Sequence, residues 1–173
     1  YSKKMQNISI KEYFKISEKY KKIVLVALSS PDERLGDNIL GVKQSNTKNC
    51  TSKVFDNDFD WCDWLVKRMY RFSDTFFIVR FHPRSFSMKR NVKSLDTINK
   101  IQNLSKTKIA NLAFDLPSDN LSVYDYILET DLLLQSASAL SFEFGIFGIP
   151  SLTYDRNLFY FNDDLSFYPK NMK

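Results

Sequence analysis

A chain of 173 residues, 43% hydrophobic and 26% charged, suits one domain able to bury roughly 70% of the surface its unfolded form exposes. Its four glycines fall in no G-x-G-x-x-G or G-x-x-x-x-G-K-[ST] pattern, which excludes a glycine-rich phosphate loop, and two cysteines with a single histidine exclude a disulfide framework and a Cys/His zinc site. The net charge of +5, with acids interspersed among the bases, favours an anionic small ligand or a membrane surface about as well as nucleic acid.

Taken in order, Ser9-Ile10-Lys11-Glu12 reads as a capping box opening an amphipathic helix. Tyr13, Phe14, Ile16 and Tyr20 would line that helix, which should end near Lys21-Lys22. Ile23–Leu28 follows as an unbroken apolar run of strand length, the mark of a parallel strand covered on both faces. Residues from Ser29 to Asn57 form a long polar stretch, unusual inside a compact domain and therefore either functional or ordered in a way the pattern does not show. Asp58 or Asp60 can cap a helix with Trp61, Leu65, Met69 and Phe72 on its core stripe. Thr75–Arg80 is the second strand, and Leu95, Ile98, Ile101 and Leu104 mark the next helix.

Ile109–Phe114 should be the third strand, closed by the polar run Asp115–Asn120. Ser122-x-x-Asp125 then opens a helix of about two turns that ends at Thr130, with Tyr126 and Ile127 inward. Leu132–Leu134 is a strand, a helix follows Ser136, and Ser151–Tyr154 is the last strand. The span Leu132–Pro150 is long enough for a membrane helix. It contains Gln135, Ser136, Ser138, Ser141 and Glu143, however, and an acid at a bilayer centre costs about 2.5–3.5 kcal/mol. A strand, a turn and a helix fit better, and with no signal peptide visible a soluble protein is expected, although a chain starting at Tyr1 reads as a fragment.

Helix and strand patterns alternate along nearly the whole chain. The fold class expected is therefore α/β: a three-layer, Rossmann-like domain whose mainly parallel sheet carries helices on both faces. Residues 1–22 would lead into the domain, 23–155 would form it, and 156–173 would be a C-terminal tail.

Two stretches carry the chemistry, each an apolar strand that delivers polar groups to its C-terminal end, where ligands bind in open α/β sheets. Arg80, His82 and Arg84 place three cationic or titratable groups within one turn, and arginine offers a planar fork of donors to phosphate oxygens. Pro83 restricts the backbone of His82 to an extended conformation. A solvated turn whose histidine bonds a neighbouring loop is the plainer alternative. In the second stretch, a helix starting near Ser136–Ser138 would offer free amides and serine hydroxyls to an anion without any glycine. Leu140, Phe144 and Phe147 would form one apolar stripe of that helix and Phe142 with Ile146 another, so it should be largely buried. Glu143 is the one charged residue between Leu132 and Pro150 and needs a partner, either a ligand hydroxyl pair or an ordinary lysine or arginine.

Arg80-Phe81-His82-Pro83, then Ser136-x-Ser138-x-x-x-x-Glu143 and Gly148-Ile149-Pro150, resemble the C-terminal, donor-binding half of GT-B glycosyltransferases. The likeness is to enzymes of bacterial capsule and surface polysaccharide synthesis that use CMP-activated acidic sugars, and to glycerophosphotransferases that use CDP-glycerol. It covers Ile23 to about Asp155 and is tight at the two motifs. The resemblance implies Arg80, His82, Ser136 and Ser138 on the donor phosphate and Glu143 on the ribose, and Arg84 is grouped with the phosphate contacts. The serines here are Ser-Ala-Ser rather than adjacent, which leaves open which of them makes the contact.

The function so implied is binding of a nucleotide-activated sugar, CMP-, CDP- or UDP-linked, as substrate with no cofactor and no metal. A CDP-polyol phosphotransferase, a sugar-nucleotide epimerase and a non-catalytic interaction domain are the alternatives. The acceptor would be a carbohydrate or lipid-linked glycan, and the domain that binds it would be missing or supplied by a separate chain. No general base can be named unless Asp32 or Glu33 serves. Nucleic acid is disfavoured because Lys89, Arg90 and Lys93 are scattered and the aromatics fall on core stripes. The expected location is the cytoplasm, at most peripheral at the inner face of the membrane.

Overall fold

The computed structural model of the chain describes residues 6–29, 58–83, 99–100, 103–119, 121–135 and 138–153. Five parallel strands form one sheet: β1 Lys22–Ala27, β2 Thr75–Arg80, β3 Leu112–Asp115, β4 Leu132–Gln135 and β5 Ser151–Thr153, in the order β3-β2-β1-β4-β5. The expected Rossmann-like α/β class is therefore the observed one.

Alternate residues of the strands feed two separate cores, because successive side chains of a strand point to opposite faces. Ile23, Leu25, Phe76, Ile78 and Leu133 pack on one face with Ile10, Tyr126 and Phe144. Val24, Val26, Phe77, Val79 and Phe81 pack on the other with Trp61, Cys62 and Met69. Burial on both faces explains why β1 and β2 read as unbroken apolar runs.

The helices change face where the chain changes direction. Helix α2, Asp58–Val66, joins β1 to β2 over the Trp61 face, and Leu104, in the connection to β3, packs there too. The chain then returns past β1. A 3-10 turn at Val123–Tyr126, with helix α3 at Leu140–Ile146, covers the Tyr126 and Phe144 face. Crossovers of a single hand require this exchange.

Several local expectations are corrected. Helix α1 is a single turn, Ile10–Tyr13, rather than a helix reaching Lys21. Lys15 takes φ 52° and ends it, and Ile16 and Tyr20 reach the core from an irregular segment. Ser9 caps the Glu12 amide as expected, but the carboxylate that completes the start belongs to Glu129, which accepts from Ser9 Oγ at 2.9 Å and from the Lys11 amide at 2.7 Å. The helix expected after Ser122 is one 3-10 turn, opened by a capping box between Ser122 and Asp125. Helix α2 passes into a 3-10 turn at Met69–Arg71, which rotates Phe72 off the core stripe to 53% exposure. Helix α3 starts at Leu140, not near Ser136, and buries only Ser141 and Phe144. Phe142, Ile146 and Phe147 stay exposed.

Candidate functional site

The register of the sheet sets one row of side chains along its C-terminal edge. Asp115 pairs with Arg80, Arg80 with Ala27, Ala27 with Gln135 and Gln135 with Thr153. Paired residues of parallel strands project to the same face, so four polar side chains flank Ala27 in the middle of that row. Ala27 also marks where the strand order reverses. From β1 the chain proceeds to β2 and β3 on one side, then to β4 and β5 on the other. In open α/β sheets ligands collect at such a switch point, at the C-terminal ends of the strands.

On the β2 side, the Arg80 guanidinium forms an ion pair with Asp115 through Nη1 and donates from Nη2 to the Leu121 carbonyl at 3.1 Å. It also lies 5.3 Å from the centre of the Tyr126 ring. The arginine fork that the sequence offers to phosphate is thus held by protein groups, and Asp115, 2% exposed, balances its charge. Burial pushes the Asp115 carboxyl above the usual carboxylate range, and the nearby Arg80 charge opposes the rise without cancelling it. The Tyr126 hydroxyl is also pushed up, chiefly by burial and then by the Asp115 charge. It meets strict hydrogen-bond geometry with no group.

His82 stands half-buried at the same end of the sheet. Phe81 fixes it there, being buried on the Trp61 face, stacked on Phe114 with ring centres 6.0 Å apart, and bonded from its amide to the Asp115 carbonyl at 3.1 Å.

On the β4 side, Gln135 is fully buried and bridges outward in both directions. Its Nε2 donates to Thr153 Oγ1 at 2.6 Å, and its Oε1 accepts from the Ser138 amide at 2.5 Å. Ser138 Oγ accepts from the Leu140 amide at 3.3 Å, which leaves the hydroxyl proton for another acceptor. Two amides expected to be free for an anion are thus satisfied internally. Glu143 faces Tyr124, whose hydroxyl it pushes up by its charge. One carboxylate oxygen of Glu143, Oε2, is buried without a hydrogen-bond partner.

The structure therefore brings Arg80 and His82 to one end of β2 and Ser138 to the matching end of β4, across β1. Arg84 and Ser136 lie outside the described residues, as do Asp32 and Glu33. The polar framework of Asp115, Gln135, Thr153 and Tyr126 was not assigned from sequence. A polar residue closing each apolar strand was the available signal, but partners across a sheet cannot be read without its strand order. An open groove of ≈ 560 Å³ lies elsewhere, along β3, lined by Lys108, Ile109, Leu112, Phe114 and Leu116 among others. No group of histidine, cysteine or acidic residues suited to a metal ion occurs among the described residues. None of the described helices is long and apolar enough to cross a membrane. No family model matches the chain, and no curated protein matches it.

Proposed function

We propose that the chain binds the phosphate and ribose of a nucleotide-activated sugar, CMP-, CDP- or UDP-linked, as the donor half of a glycosyltransferase of surface polysaccharide synthesis. The reversal of strand order between β1 and β4 carries this reading, with polar side chains ranged along the C-terminal edge on both sides of it. Ligands of open α/β sheets collect at such a reversal.

In this reading His82 and the free proton of the Ser138 hydroxyl serve the phosphate, together with Arg84 and Ser136. Glu143 serves the ribose in the same reading. Arg80 acts less directly, by locking the ends of β2 and β3 beneath the His82 turn through Asp115. Fixed positive and hydrogen-donating groups at a leaving phosphate stabilise the charge that develops there, which is the main catalytic contribution a donor domain can make. The acceptor and its base would come from another domain or chain, and the site would work in the cytoplasm.

Calorimetric titration with CMP, CDP, UDP and GDP tests the reading. At least one nucleotide should bind, and His82→Ala should weaken it roughly 10- to 100-fold, the loss of a charge-assisted hydrogen bond of about 1.5–3 kcal/mol. Failure of the folded protein to bind any of the four, or unchanged affinity in the variant, would sink it.

A further inference from the structure

The opposite end of the sheet has a different character. Three loops meet there, leading into β1, β2 and β3, and hydrogen bonds to backbone carbonyls tie them together. The Lys21 and Lys22 amides donate to the Asp74 carbonyl at 2.6 and 3.2 Å. The Tyr20 hydroxyl donates to the Ala110 carbonyl at 2.9 Å. Asn111 Nδ2, 5% exposed as a residue, reaches the carbonyls of Met69, Phe72 and Thr75 at 2.8 to 3.0 Å. These loops form one firm platform.

The platform is cationic and aromatic. Lys19, Lys21, Arg68, Arg71, Lys106 and Lys108 stand on it. Asp63 is paired with Lys67 at 2.5 Å and Asp131 with Lys22 at 3.0 Å, and the exposed Glu18 and Asp74 on the same loops leave the six cations in excess. Trp64, Tyr70 and Phe72 are exposed by 42%, 62% and 53%. Arg68 lies 4.3 Å from the centre of the Trp64 ring and Arg71 lies 5.8 Å from that of Tyr70. These arginines draw the Tyr70 hydroxyl below its usual range.

We infer that this end of the domain is a docking surface for an anionic lipid bilayer. Tryptophan and tyrosine are enriched where water meets lipid, and a half-exposed phenylalanine has no polar group to keep it in water. Basic residues beside them would meet anionic headgroups within a Debye length. A single-stranded nucleic acid would instead stack bases on open ring faces, and the guanidiniums over Trp64 and Tyr70 already occupy one face of each ring. The surface is independent of the donor-site reading. It lies across the six residues of β1, roughly 20 Å from the C-terminal edge at strand rise, so a docked domain would turn that edge away from the lipid.

Co-sedimentation of the full chain with vesicles decides the matter, using phosphatidylcholine alone against equal parts phosphatidylcholine and phosphatidylglycerol. Binding should require phosphatidylglycerol, fall with added salt and shift the tryptophan emission to the blue, a shift that Trp64→Phe should abolish while the buried Trp61 remains. Lys21→Gln with Arg71→Gln should weaken it about 25-fold, near fivefold per cation removed, and Tyr70→Ala should weaken it further without altering the thermal unfolding midpoint. No binding to the mixed vesicles, equal binding to both kinds, or unchanged binding by the double variant overturns the inference. So does tighter binding of an oligothymidylate than of the vesicles with the same sensitivity to the two lysine and arginine changes, which would make the surface a nucleic-acid one.

Discussion

Arg80 and Asp115 stand at the ends of neighbouring strands and face each other with 13% and 2% of their side chains exposed. Both charges have left water, so the pair is worth little net stability while either partner alone is costly. Arg80→Ala should lower the unfolding free energy by about 3–5 kcal/mol, and Arg80→Met with Asp115→Leu should recover most of that loss. Urea denaturation of both proteins checks the pair of outcomes. The Asp115 carboxyl also sets a pH dependence. Its folded value is raised, mainly by burial, so the native state holds that proton more tightly than the unfolded chain does. Its contribution to stability is full below the ordinary carboxylate value, about pH 4, and is lost as pH rises through the raised folded value. Stability measured upward from pH 4 should show this fall in the wild type, and Asp115→Asn should remove it.

At the scale of the element, helix α3 ends on a complete C-terminal motif. The Ile149 amide bonds to the Phe144 carbonyl at 3.1 Å and the Gly148 amide to the Gly145 carbonyl at 3.0 Å, while Gly148 takes φ 77°. Ile149 and Phe144 are both buried in the same core, the apolar contact that accompanies this motif, and Pro150 bars any continuation. A Cβ on Gly148 would meet nothing within 4 Å, so the cost of Gly148→Ala is one of backbone conformation alone, about 1 kcal/mol. Thermal unfolding should show that modest loss with nucleotide affinity unchanged; a larger loss would mean that packing, not φ, holds the turn. Helix α1 shows the converse. It is too short to be stable by itself and holds because Glu129, distant in sequence, caps it.

Across the whole molecule, the parallel sheet separates two ends with different chemistry. The C-terminal edge carries the Asp115, Arg80, Gln135 and Thr153 row and the His82 and Ser138 turns. The N-terminal end carries exposed cations and rings on tied loops. Changes at the two ends should therefore act separately. His82→Ala should reduce nucleotide affinity and leave vesicle binding intact, and the Lys21 and Arg71 changes should do the reverse.

Sequence by itself determined the strands and the class. Ile23–Ala27 and Phe76–Val79 are unbroken apolar runs of strand length, and a parallel strand covered on both faces reads as such a run. It also located His82 and Ser138 at strand ends, because the run stops and polar residues begin. Helix lengths were less legible. Tyr13 to Tyr20 has helical spacing, but Lys15 turns to positive φ and the tertiary contacts of Ile16 and Tyr20 hold the chain in an irregular path. What only the tertiary structure decided is partnership. That Arg80 meets Asp115, that Gln135 clasps Thr153 and Ser138, and that Trp64, Tyr70 and Phe72 share an end with Lys21 all depend on strand order and register. Those are set by burial over the whole sheet, a non-local quantity that no single stretch of sequence contains.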